Sequence, residues 1–232
     1  MDERQQEQLG AATGIVFVVA LLASFVFGPD KPPGFNDTAQ QVSSYVHDNR
    51  DQIQAATALT VFAGFFFLWF LGSLARTLRR AEGRGPGRLG AIAFAGGITT
   101  IAVATVGQAA FWTAAYHTDL DPSVVRGLYD LGSGAFLLVG IGIAALIGAS
   151  SVVGLRTGAL PPWLAAYGAV FSAFTLVVTV VGSFQETGGF SPSDGFLGLL
   201  VFLGFLVWTL ATSIVLVRQE GGGAPQPSAA PQ

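Results

Sequence analysis

Six stretches of the chain are apolar for about the twenty residues that a helix needs to cross some 30 Å of hydrocarbon. They cover residues 9–27, 53–74, 89–116, 131–153, 160–184 and 196–217. None holds Asp, Glu, Lys or Arg, so every formal charge falls in a loop or a tail. That separation is what a cost of about 2.5 kcal/mol or more for a charge at mid-bilayer imposes. The pattern predicts an all-α, polytopic membrane protein with six transmembrane helices in a bundle. The domain plan follows: an N-terminal tail over 1–8, the membrane domain over 9–217, and a tail over 218–232 whose GGGAPQPSAAPQ run predicts disorder.

Between the spans the polar residues carry helix-start signals. Asp37 opens DTAQQVSSYVHDN, Asp121-Pro122 opens DPSVVRGLYDLG, and Ser191-Pro192 opens SPSDGFLG. Each offers an N-cap oxygen, the last two with proline at the first helical position. Short outer helices are therefore expected before spans two and four, with a similar start before span six. In the first of them Val42, Tyr45, Val46 and Asn49 recur at i, i+3, i+4 and i+7, a stripe suited to lying on the outer surface of the bundle. Within the spans, Gly140, Ala144 and Gly148 on span four, and Ala93, Gly97, Thr100 and Ala104 on span three, are stripes of small residues that favour close helix contact over any ligand role.

Composition agrees with the class, since 51% of the 232 residues are hydrophobic and only 11% charged, where a soluble domain has about a quarter charged. The absence of cysteine excludes disulfides, thiolate metal sites and cysteine nucleophiles. The net charge of −3 argues against a nucleic-acid partner. Direction comes from the basic residues. Arg4, Arg76, Arg79, Arg80, Arg84, Arg88, Arg156 and Arg218 fall on one side of the threading, against Lys31, Arg50 and Arg126 on the other. The positive-inside rule places the first side, and both termini, in the cytoplasm. Arg76, Arg79, Arg80, Arg84, Arg88 and Arg156 are thus candidate topology and lipid-headgroup residues. The leader MDERQQEQ has one Arg against three acids and no cleavage site follows the first run, so span one reads as uncleaved. Trp69, Trp163, Tyr167 and Trp208 are expected in an inner aromatic belt, and Tyr45, Trp112, Tyr116 and Tyr129 in an outer one.

Candidate chemistry is sparse. Gly85 to Gly90 matches GxGxxG, but no strand precedes it and Pro86 removes a donor, so it is a turn. Gln108, Trp112 and Tyr116 recur every fourth residue on span three. They form either the polar wall of an outward-opening pocket or an interhelical hydrogen bond with two interfacial aromatics. Ser172, Thr175, Thr179 and Ser183 make a hydroxyl stripe on span five, suited to packing or, turned inward, to a modest polar lining. The candidate ligand-binding residues are Gln108, Trp112, Tyr116, Thr175 and Thr179. His47 and His117 both lie in outer loops near carboxylates, yet without a metal-binding spacing, and no metal ligand set or cofactor is assigned. The spans supply no Asp, Glu, His, Cys or Lys for intramembrane hydrolysis or a proton relay.

The segment LRTGALPPWLAAYG, residues 155–168, together with LYDLGSGAFLL, residues 128–138, resembles uncharacterised bacterial six-span membrane proteins of the DUF4386-like type. Where many of these have Arg after the first proline, this chain has Pro162. The resemblance implies a multi-pass protein of the bacterial cytoplasmic membrane and brings no catalytic residues. Physically the motif is a turn: Arg156 anchors the inner face, Gly158 ends span four, Pro161 starts span five and Trp163 sits at the interface. The sequence is thus expected to encode a non-enzymatic interaction, regulatory or structural protein, binding lipid or a small apolar ligand. The alternative is a small transporter or permease with an uncharged polar path. Its expected partners are the bilayer and other membrane proteins or further copies of itself.

Overall fold

The structure is a computed structural model that describes residues 3–83, 85, 87–185, 188–190 and 196–221. The described residues form seven α-helices and no strand: α1 (Glu3–Phe27), α2 (Ala39–Asp48), α3 (Arg50–Glu82), α4 (Arg88–Tyr116), α5 (Pro122–Thr157), α6 (Pro162–Gly182) and α7 (Phe196–Gly221). All but α2 are long and apolar enough to cross a membrane. The architecture is that of a multi-pass helical membrane protein. Part of each expected tail is helical, since α1 begins at Glu3 and α7 runs to Gly221; residues 222–232 lie outside the described residues.

The α5 helix is the most buried of the long helices and packs on α2, α3, α4, α6 and α7. Its 36 residues make about 54 Å of helix, well beyond the hydrocarbon thickness. Its most apolar window is 61% buried, against 28–39% in the other five spans, which identifies it as the central element. The helices α4 and α6 pack along its two sides, α3 packs on α4 and α1, and α7 closes the ring between α1 and α6. Small residues allow this intimacy. A Cβ built on Gly96 would lie 2.6 Å from the Leu146 nitrogen, and one on Gly142 would lie 2.7 Å from the Gly96 carbonyl oxygen. The α4 and α5 backbones therefore touch at this pair. Of the predicted small-residue stripes, Gly140, Ala144 and Gly148 face α6, where Thr179 and Ser172 fill the space. On α4, Gly97 receives the side chain of Leu71 from α3.

The α2 helix is separate and α5 is continuous, so the short helix expected before span four is its first turns instead. The caps explain both. Thr38, and not Asp37, caps α2: its hydroxyl accepts from the Gln41 N–H, and the Gln41 side chain accepts from the Thr38 N–H at 2.8 Å. Asp37 accepts from the Gly34 N–H instead. Asp121 caps α5 through the Ser123 N–H, with Pro122 at the first helical position and no break before Thr157. The Ser191-Pro192 start lies outside the described residues. Val42 and Val46 of the predicted stripe are buried with Ile53, Ala114, Ala115, Val125 and Tyr129, which fixes α2 across the end of α3, α4 and α5. Asn49 closes α2 as its C-cap and returns its side-chain amide to the Tyr45 carbonyl.

At the opposite end, Gly158 takes the left-handed conformation that ends α5, with φ of 74°, and Pro161 and Pro162 open α6 as N-cap and first helical residue. Two belt assignments change. Trp208 is completely buried among the core residues, and Tyr129 is buried under α2. Trp69 and Trp163 remain exposed, as interfacial anchors must be.

Candidate functional site

The two polar stripes singled out in the sequence lie on different helix interfaces. On α4, Gln108 turns toward α3: the Thr57 hydroxyl donates to its Oε1 at 3.1 Å, and its amide reaches Thr60 Oγ1 at 3.5 Å. A spacing of four residues drifts by about 40° per step around a helix. That drift carries Trp112 and Tyr116 outward, where they stack at 4.7 Å and stand 41% and 49% exposed. On α6, Thr175 and Thr179 are buried, with Thr179 Oγ1 over Gly140 of α5, while Ser172 donates to the Ala144 carbonyl at 2.7 Å. Helix α5 stands between α4 and α6, so Gln108 and the two threonines do not line a common cavity.

A further buried polar set escaped the sequence reading. Trp208, Thr209, Thr212 and Ser213 are each 0% exposed on one face of α7. Ser213 donates to the Ala11 carbonyl of α1. Trp208 Nε1 and Ser151 Oγ of α5 both overhang Gly168 of α6, and both lack a hydrogen-bond partner among the described residues. The spacing i, i+1, i+4, i+5, with Leu216 continuing it, is the signal that could have found this face.

At the arginine end the charges are organised. The carboxylate of Glu7 on α1 receives Arg76 Nη1 at 2.7 Å and Arg80 Nη2 at 2.9 Å on one oxygen, and Arg80 Nη1 at 3.2 Å on the other. Glu82 at the end of α3 accepts from the N–H groups of Leu89 and Gly90, at 3.1 and 2.8 Å, and so satisfies the first turn of α4. This acidic cap accounts for Gly90 without any nucleotide role. Arg79 lays its stem on Gly90, Arg88 and Arg156 are exposed, and Arg84 lies outside the described residues. Between α1 and α3, a cleft of about 460 Å³ is lined by Glu7, Gly10, Leu68, Trp69, Gly72, Ser73, Arg76, Thr77 and Arg80.

The other end is less charged. Arg126 donates to the Phe35 carbonyl at 2.6 Å and reaches Asp130 at 3.5 Å, tying the α1–α2 connection to α5. Tyr45 meets Tyr129 edge-on at 6.3 Å, and burial, helped by the charge of Asp30, pushes the Tyr45 phenol up to about 12. His47 contacts Ser43 at 3.4 Å and His117 caps the end of α4. Among the described residues no three His, Asp or Glu side chains converge into a metal-binding group.

The fold and these sites define the class as a multi-pass α-helical membrane protein with six apolar spans. No protein-family model, no curated protein and no solved structure matches the chain.

Proposed function

We propose that the chain is a non-enzymatic integral protein of the bacterial cytoplasmic membrane that acts by binding lipid or neighbouring membrane proteins. Its N-terminus, its C-terminus and the arginine end face the cytoplasm. The observation that carries this reading is the use made of the polar groups in the spans. Gln108 bonds to α3, Ser172 to α5 and Ser213 to α1, each consumed in joining helices. A cleft stands open on the α1–α3 face. The bacterial cytoplasmic location rests on the asymmetry of the arginines and on the family resemblance of the 155–168 segment.

The permease reading draws its support from the Ser151, Thr175, Thr209 and Thr212 hydroxyls and the Trp208 indole N–H, which have no hydrogen-bond partner among the described residues and are buried polar groups such as a water-filled path would use. One paired measurement separates the two: heat stability in detergent and solute uptake by cells, for Gln108→Leu and Thr212→Val. The binding reading expects lowered stability for Gln108→Leu, unchanged or raised stability for Thr212→Val, and no solute-selective loss of uptake in either. Full stability with abolished uptake of one solute would overturn it in favour of transport.

A further inference from the structure

The cleft between α1 and α3 changes character along its length. On α3 its lining runs Leu68, Trp69, Gly72, Ser73, Arg76, Thr77, Arg80, so that about 18 Å of helix passes from apolar through hydroxyl to cationic. Leu68 and Trp69 are 42% and 59% exposed, and they face outward from the span where acyl chains lie. Arg76 and Arg80 stand two to three turns nearer the helix end, at the depth of headgroups. A gradient from aliphatic to cationic over this distance matches one phospholipid lying along a helix.

The charged end already demonstrates its chemistry. One Glu7 oxygen bridges two guanidiniums and the other takes a second donor from Arg80. A phosphodiester offers the same paired oxygens, and the Arg80 guanidinium carries five N–H donors, more than Glu7 uses. Ser73 and Thr77 add hydroxyls on the same wall, although Thr77 also donates to the Ser73 carbonyl. The floor is vacant by virtue of Gly72: a Cβ built there meets nothing within 4 Å.

We infer that this cleft is a binding site for one phospholipid, with its phosphodiester on Arg76 and Arg80 beside Glu7, and an acyl chain over Gly72, Leu68 and Trp69. The inference rests on the reading of the chain as a membrane-embedded binding protein, and it names the ligand class and the place. A free phosphate monoester shares the headgroup chemistry but has no use for the apolar half. A second copy of the chain could fill the apolar half but would not supply a phosphate.

The test uses the full chain, purified in mild detergent, stripped of lipid and titrated with phosphatidylglycerol, with bound lipid read by native mass spectrometry and Tm read in parallel. Glycerol 3-phosphate is the soluble comparison. The parent should hold one lipid and gain Tm, whereas glycerol 3-phosphate at equal concentration should do neither. Gly72→Trp puts an indole over the floor, where its Cβ meets nothing within 4 Å, and should fold with the Tm of the stripped parent while losing the bound lipid. Arg76→Gln with Arg80→Gln should weaken lipid binding by roughly thirtyfold, and Arg156→Gln should not change it. Equal lipid binding by Gly72→Trp and the parent overturns the site, as does glycerol 3-phosphate matching the lipid. A lipid-free dimer that Gly72→Trp dissociates overturns it in favour of a protein interface. In each of those cases a protein still resistant to alkaline extraction from membranes leaves the membrane-protein reading standing; release into the wash removes that reading as well.

Discussion

Gln108 shows how one polar side chain can be read two ways until its neighbour is known. An amide two turns inside a span must find a partner, and the partner is Thr57, itself buried on α3. Gln108→Leu should cost about 0.6 kcal/mol and up to roughly 2 kcal/mol in detergent unfolding, the range of interhelical hydrogen bonds in membranes. Combining it with Thr57→Val should be less than additive, because both substitutions remove the same bond. Tyr45 supplies a second residue-scale prediction. Its phenol is raised from 10.0 to about 12, so the folded state holds the proton more tightly than the unfolded state does. The resulting stabilisation is complete below pH 10 and is lost as pH rises toward 12. Tyrosinate absorbance should therefore rise late for this residue, and Tyr45→Phe should flatten the alkaline loss of α2 protection in hydrogen exchange. A loss of protection with unchanged pH dependence in the variant would remove Tyr45 as its cause.

At the scale of the element, two glycines on neighbouring helices make opposite predictions for the same substitution. Gly96 lies where α4 and α5 touch backbone to backbone, so the branched side chain of Gly96→Leu must push the helices apart. A cost of about 3 kcal/mol, at the upper end of overpacking, is expected. Gly72 faces open space on a helix interior, where leucine is a better helix former than glycine, so Gly72→Leu should leave stability equal or higher by up to about 1 kcal/mol. Thermal melts of the two variants in one detergent check both; equal losses would contradict the packing of α4 on α5. Helix α2 is held differently, through its capping box and the Val42 and Val46 face. Thr38→Ala should cost about 1 kcal/mol, visible as faster amide exchange confined to α2.

For the whole molecule, direction in the membrane is the property most open to test. Reporter fusions placed after Arg88 and after Asp121 bracket α4 and should report opposite sides, with the Arg88 fusion cytoplasmic. Both on one side would remove the six-span threading. The two ends are also tied by different means. At the arginine end Glu7 joins α1 to α3, and Glu82 joins α3 to α4. At the other end, the apolar cluster under α2 and the Arg126 bond to the Phe35 carbonyl do the joining. Raised salt should therefore loosen the arginine end more than the α2 end, since its exposed ion pairs are screened and the buried apolar contacts are not.

The six spans, their approximate ends and the charge asymmetry were legible from residue order alone, because the cost of a charge in hydrocarbon is local and large. The proline and glycine turn at 158–162 and the Asp121-Pro122 start were legible for the same reason, since capping is settled within one helical turn. Which way each stripe faces was not. Gln108 turns to α3, Thr179 turns to α5, and Trp208 is buried where a belt residue was expected, because the bilayer accepts any apolar face and leaves the choice to small-residue contacts such as Gly96 with Gly142. The cleft is of that second kind. Glu7 and Arg76 stand 69 positions apart, and no periodicity links them. The threading puts them at one end, but only the packing of α1 along α3 sets a carboxylate between two guanidiniums, with Gly72 open beside them.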